Sequence, residues 1–296
     1  MGCRDKKSKN MKINFYNNFH RGDIHNSRGL IAHIMKHMGI DNIYTYRHIN
    51  GQKLLLDVNI EYINEQVNTN ELVFYHDGEL YINTWIGCKD EHGSPFCRFG
   101  CNALGNMHLL NHIYRLLKKD IVVTDEWELV SYINYDKYIN NNILKFVKSD
   151  TKNILLCNGP VLSGQSSNFS FTPIIHQLSN RHPDYRFILT QKDDQINKNN
   201  VYYTTDIIGD VGSSDLNEIS YISTKSNIIV GRASGPFMFT QTRSTLIDET
   251  KTFISFNTNI NEAFFSLNGK SKKIHSSVYE ESSVLAIISK EIESIV

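Results

Sequence analysis

Cysteine is scarce in this chain of 296 residues: there are five, at Cys3, Cys88, Cys97, Cys101 and Cys157, odd in number and unevenly spread. That is no disulfide framework, and it points to a reducing compartment, the cytoplasm. No apolar run approaches the ~20 residues of a membrane-spanning helix, and the N-terminus lacks the charged, apolar and small-residue order of a secretory leader. Net charge is missing as well, with 31 Lys plus Arg against 31 Asp plus Glu. No global field therefore draws the chain to nucleic acid, which disfavours such a partner, although a local basic cleft stays open. There is no low-complexity stretch and no short-period repeat.

What is present is the make-up of a folded protein: 40% hydrophobic residues, with 15 Tyr and 15 Phe, enough for two domains that each bury a core. The opening Met1-Gly2-Cys3, followed by Lys6, Lys7 and Lys9, has the outline of an acylation signal. Lys6, however, stands where that signal carries Ser or Thr. Residues 1–10 therefore read as a disordered polar leader, with peripheral membrane contact left open.

Strand and helix patterns alternate along the rest. Lys12 to Tyr16 alternates as a strand does, and Leu30, Ile31, Ile34, Met35 and Met38 follow with helical spacing up to Gly39. Further strands are expected at Leu54 to Val58, Glu71 to Tyr75, Glu79 to Ile82 and Ile121 to Thr124, with a helix from Asn106 to Leu117. Asn153 to Asn158 is an apolar run of the buried, parallel kind. It is followed by a helix from Phe171 to Ser179 and strands at Tyr185 to Thr190 and Val201 to Thr204. A helix from Leu216 to Ser223, a strand from Asn227 to Gly231 and a helix around Phe237 come next. The last strand is expected at Phe253 to Phe256 and the last helix at Ser277 to Ile292. This pattern predicts an α/β fold of two Rossmann-like domains, 11–145 and 146–296, with parallel sheets facing a central cleft.

In such sheets ligands bind beyond the carboxyl ends of the strands, so the loops there are the candidates. The first, residues 19–28, packs His20, Arg21, Asp23, His25 and Arg28 beside Gly22; its plain reading is a turn with Asp23 or Ser27 capping a helix. The second, residues 158–167, offers Ser163, Gly164 and Gln165, suited to phosphate through glycine backbone and hydroxyls, although it lacks the Gly-Lys-Ser/Thr ending of a Walker loop. The third is Gly231-Arg232-Ala233-Ser234-Gly235-Pro236, where Pro236 opens a helix whose start attracts anions and Arg232 adds a bidentate cation. Connecting loops with no ligand are the plain alternative for both.

The residues Gly22-Asp23-Ile24-His25 and Ala233-Ser234-Gly235-Pro236 resemble motifs of bacterial heptosyltransferases and related glycosyltransferases of the GT-B type, including fucosyltransferase-like enzymes. The resemblance implies an inverting, metal-independent transfer of a sugar from a nucleotide-diphosphate donor to a glycan or other hydroxyl acceptor, with no cofactor. It makes Asp23 the general base with His25 in reserve. It places the donor on the second and third loops, with Gln191 and Lys192 in reach of the diphosphate and Asp206, Asn217 and Glu218 near ribose and base. His20, Arg21, Arg28 and Trp85 fall on the acceptor side. One departure is the absence of the Asp that usually precedes the Ser/Thr-Gly of the late motif, where this chain has Arg232-Ala233. The alternatives are a nucleotide- or glycan-binding protein without turnover and a glycosyltransferase that modifies nucleic acid. Cys88, His92, Cys97 and Cys101 could form a structural zinc site, but no paired Cys-x-x-Cys supports it, so no metal is expected.

Overall fold

The alternation in Lys12–Tyr16 does form a strand, β1, and all but its first residue are buried. The computed structural model describes residues 10–19, 21–147, 152–162, 164, 166–210 and 214–295. Most of the leader, His20, Ser163 and Gln165 thus lie outside the described residues. After β1 come α1 (Arg21–Asn26), α2 (Arg28–Met38), β2 (Ile43–Arg47), β3 (Glu61–Ile63), β4 (Val73–His76), β5 (Glu79–Asn83), α3 (Ala103–Leu116) and α4 (Asn141–Val147). Gly39 stops α2 with φ 102°, a left-handed value that favours glycine.

The first sheet runs β3-β2-β1-β5-β4, parallel except for the edge strand β4. Three expectations need correction here. Most of the first loop is helix α1. Leu54 to Val58 contains no strand: its apolar start is a 3₁₀ turn, Gln52–Leu55, whose Leu54 and Leu55 enter the core. Ile121 to Thr124 forms none either. β2 and β3, not foreseen, complete the sheet.

The second sheet is fully parallel, in the order β11-β10-β9-β6-β7-β8. Its elements are β6 (Asn153–Cys157), α5 (Thr172–Arg181), β7 (Arg186–Leu189), β8 (Val201–Tyr203), α6 (Thr204–Ile208), α7 (Leu216–Thr224), β9 (Ile228–Gly231), α8 (Gly235–Phe239), α9 (Arg243–Leu246), β10 (Thr252–Phe256), α10 (Ile260–Ala263), β11 (Lys272–Ser276) and α11 (Glu281–Glu293). β10 is therefore not the last strand. β6 and β9, buried at every position, lie side by side at the centre, and the winding reverses between them. Apolar clusters cover both faces, one carrying residues of α5 and α11 and the other residues of α7 and α8.

The two halves share their cores. Leu216 and Phe239 pack into the first half's cluster, while Ala103, Val130 and Ile143 pack into the second's. Backbone bonds also cross: Ala103 N donates to Phe265 O at 2.7 Å and Arg243 N to Ser131 O at 2.8 Å.

Candidate functional site

Each sheet reverses its winding at one point, and a doubly wound sheet leaves a crevice there, beyond the strand ends. In the first half the strands are β1 and β5. Past them Phe19 stacks on Trp85, ring centroids 3.5 Å apart, which lays down an aromatic wall. Side chains fix both turns: Phe19 N donates to Asn17 Oδ1 at 2.8 Å and Trp85 N to Asn83 Oδ1 at 3.0 Å. Arg21 is exposed at the start of α1, and Asp23 follows, partly exposed, in its first turn. The Asp23 charge reaches Tyr46 and Cys101, adding to the burial that raises both groups, Cys101 to about 12.

In the second half the ends of β6, β7 and β9 frame a cleft of about 500 Å³, lined by Asn158, Pro160, Gln191, Lys192, Asp193, Asp194 and Arg232 among others. Asn158 ties two of the ends together: its Nδ2 donates to Gln191 O and its Oδ1 accepts from Gln191 N, both at 2.9 Å. A side chain at Gly159 would meet Gln191 Oε1 at 3.1 Å, so the loop passes close to this residue. After β9, Ser234 stands at the N-terminal cap position of α8 but makes no side-chain capping bond, and its Oγ is shielded from solvent without a hydrogen-bond partner. A Cβ on Gly235 would meet open space. The two halves meet here, since a Cβ on Gly22 would stand 4.0 Å from the Gly235 Cα. The turn carrying Asp23 therefore faces the turn carrying Ser234 and Gly235.

Six expected site residues are placed elsewhere or engaged differently, among them Asn217, which is buried and bonded to Arg28 and Leu54 of the first half. The His25 ring is 1% exposed and stacks on Phe239, centroids 4.2 Å apart, so it does not face an acceptor. Burial and the nearby Arg28 push its pKa far below the ordinary imidazole value. Arg28 itself is buried, paired with Asp57 at 2.7 Å and donating to Leu54 O and to Asn217 Oδ1. Glu218 is buried in an ion pair with Lys53 of the first half. Its carboxyl is raised by burial against the pull of Lys53. Asp206 lies beside edge strand β8 with Tyr202 and Phe146, away from the β6/β9 crevice.

The last is Arg232. Its guanidinium lies 4.5 Å from the Phe169 ring and 4.7 Å from the Phe171 ring. It donates to Gly159 O at 2.7 Å, to Asn158 O at 3.3 Å and to Phe169 O. Burial lowers its pKa to about 10. The fork thus joins both ends of the loop after β6 instead of projecting toward a phosphate.

Sequence reasoning missed Asp193 and Asp194, and it included Phe19 and Asn158 in candidate loops without giving either a role. The position of Asp193 and Asp194 directly after an apolar strand was the available signal, since the corresponding position in dinucleotide folds carries the ribose carboxylate. The cysteine and histidine cluster does not converge. Cys88 is buried and its thiol is pushed up to about 12. His108 stacks on Phe99, and His112 pairs with Glu91 at 3.2 Å. Among the described residues, no group of three or more His, Cys, Asp or Glu is arranged to hold a metal ion.

Two α/β halves with crevices facing across a cleft define the GT-B fold, and this chain has it. The structure is similar to that of the E. coli heptosyltransferase WaaC with ADP-2-deoxy-2-fluoro heptose, with TM-score 0.58 and 8% identity, covering 97% of this chain and 100% of that one. It is also similar to a glycosyl transferase family 9 protein from Veillonella parvula, with TM-score 0.54 and 11% identity, covering 95% and 92%. No family model and no curated protein matches the sequence.

Proposed function

We propose that this chain is a glycosyltransferase that moves a sugar from a nucleotide-activated donor to a hydroxyl on a glycan or other acceptor, with inversion and without a metal. The observation that carries the reading is the proximity of the Gly22 and Gly235 turns, where a Cβ on Gly22 would stand 4.0 Å from the Gly235 Cα. The reading takes the Asp23 carboxylate, one residue on, as the base for the acceptor proton and the start of α8 as the source of N–H groups for the departing phosphate, the two things inverting transfer needs. In this reading Asp23 is the base and Ser234 and Gly235 bind the leaving phosphate. Lys192 supplies the cation, Asp193 or Asp194 takes the ribose hydroxyls, and Trp85 with Phe19 supports the acceptor ring. Solved GT-B structures of similar shape, one of them holding an ADP-sugar analogue, support the donor class.

The test is a panel of nucleoside diphosphates and nucleotide sugars, read first by thermal shift, because a ligand held only by the folded state stabilises it by about 2.7 kcal/mol at a hundredfold excess over Kd. Donor hydrolysis is read second. No shift with any member of the panel would sink the reading. The engagement of Arg232 by carbonyls favours a second reading, a nucleotide binder without turnover, and a thermal shift with no hydrolysis or transfer would select it.

A further inference from the structure

We propose that His25 is a positioning residue: its ring, stacked on Phe239 across the two halves, holds α8 against α1, and the seam loosens when that ring takes a proton. Neither ring nitrogen has a hydrogen-bond partner, although both are buried. A neutral imidazole can endure such a slot as a flat apolar plate; an imidazolium has two N–H groups that need acceptors and a charge that needs solvent.

The surroundings supply no relief: the 3₁₀ turn Gln52–Leu55, packed on α1, brings Lys53, another cation, which is already paired with Glu218 of α7. From α8 the slot is faced by Gly-Pro-Phe-Met-Phe, which has no titratable side chain. From α2 comes Arg28, whose positive charge opposes a second one. Within α1 the nearest titratable groups in sequence are Arg21 and Asp23, whose turn is directed at the cleft. Ser131 donates its hydroxyl to the His25 carbonyl at 2.9 Å and Asn106 of α3 donates to the Asn26 carbonyl at 3.4 Å, so both spend their donors on the backbone of α1 and neither bonds the ring.

The consequence for the site follows from the chain path. α8 begins at Gly235 and α1 holds Gly22 and Asp23, so the stacked pair lies just behind the two facing turns and sets their spacing. This last step rests on the glycosyltransferase reading; the loosening of the seam does not.

The sign follows from linkage. His25 has a depressed pKa in the closed state and an ordinary one, 6.5, once exposed. Closure is therefore complete above that value and is lost as pH falls below it. Opening becomes about tenfold easier at roughly pH 5.5 than at pH 7.5.

Hydrogen exchange of the amides of Met238 in α8 and of Thr240 at its C-terminal cap, corrected for intrinsic chemistry and compared with β10, tests this in wild type and in His25→Phe. The wild type should lose about tenfold protection in α8 across that interval, and the variant, which keeps the plate but cannot ionise, should lose none. His25→Leu replaces it if His25→Phe does not fold. Protection that is flat with pH in wild type, or that falls equally in the variant, overturns the proposal. If the exchange result holds and no sugar is transferred, the seam stands and the glycosyltransferase reading falls. If transfer occurs, its acid limb should move to lower pH in His25→Phe.

Discussion

Asp23 is the residue on which a base assignment and a structural assignment diverge most sharply. As an acid in the first turn of α1 it suits the positive end of the helix, and Asn would serve there about as well. As the base it must accept a proton, and Asn cannot. Asp23→Asn is therefore expected to lower turnover by about 10²–10⁴ with donor affinity little changed; full activity in initial-rate assays would end the base assignment. Arg232 divides in another way. Lys carries no plane to lie between Phe169 and Phe171 and no fork to join three carbonyls, so Arg232→Lys should cost about 2–3 kcal/mol in urea unfolding and weaken nucleotide binding. A phosphate ligand that needed only charge would tolerate the exchange. At this scale the sequence was partly legible. It displayed Gly22-Asp23 and Ser234-Gly235 as motifs, but an arginine at a strand end looks the same whether its fork meets a ligand or the carbonyls of a loop seventy residues away.

Elements were easier to read where periodicity spoke alone. β6, β9 and α2 announced themselves by unbroken apolar runs or helical spacing. The segment at Leu54 misled because the Leu54 carbonyl accepts from Arg28 and, at 3.3 Å, from both Asn217 and Tyr138, partners far away in sequence. β2 escaped notice since Ile43-Tyr44-Thr45-Tyr46-Arg47 lacks an apolar run, although its three central residues are buried beside β1. α8, five residues long, cannot hold itself as a helix and depends on packing. Phe239 is fully buried in the first half's core, so Phe239→Ala should cost about 3–5 kcal/mol. It should also raise the nucleotide Kd, because the N–H groups of the α8 turn lose their fixed aim. An unchanged Kd in titration calorimetry at a lowered Tm would separate the helix from donor binding.

For the whole molecule, the sequence conveyed two α/β halves but not how firmly they are joined. α7 carries much of that joint: Asn217 bonds to Arg28 and Leu54, Glu218 pairs with Lys53, and Ser220 meets Tyr135 at 2.9 Å. All these partners belong to the segment before β6. An ion pair buried between halves helps only while both members are present, and removing one leaves the other without its counter-charge. Glu218→Gln keeps the shape and deletes the charge. Lys53 is 17% exposed and so can reach some water, which sets the expected cost at about 1–3 kcal/mol, below the full penalty for a sealed pair. Because the cores interpenetrate, that cost should be felt by both halves at once. Unfolding followed by tryptophan fluorescence, through Trp85 in the first half's crevice and Trp127 near the joint, should coincide with unfolding followed by circular dichroism, and both should shift down together by a few degrees in the variant. Two separated transitions, or a shift confined to one probe, would show that the halves fold independently and that the contacts of α7 do not govern the joint.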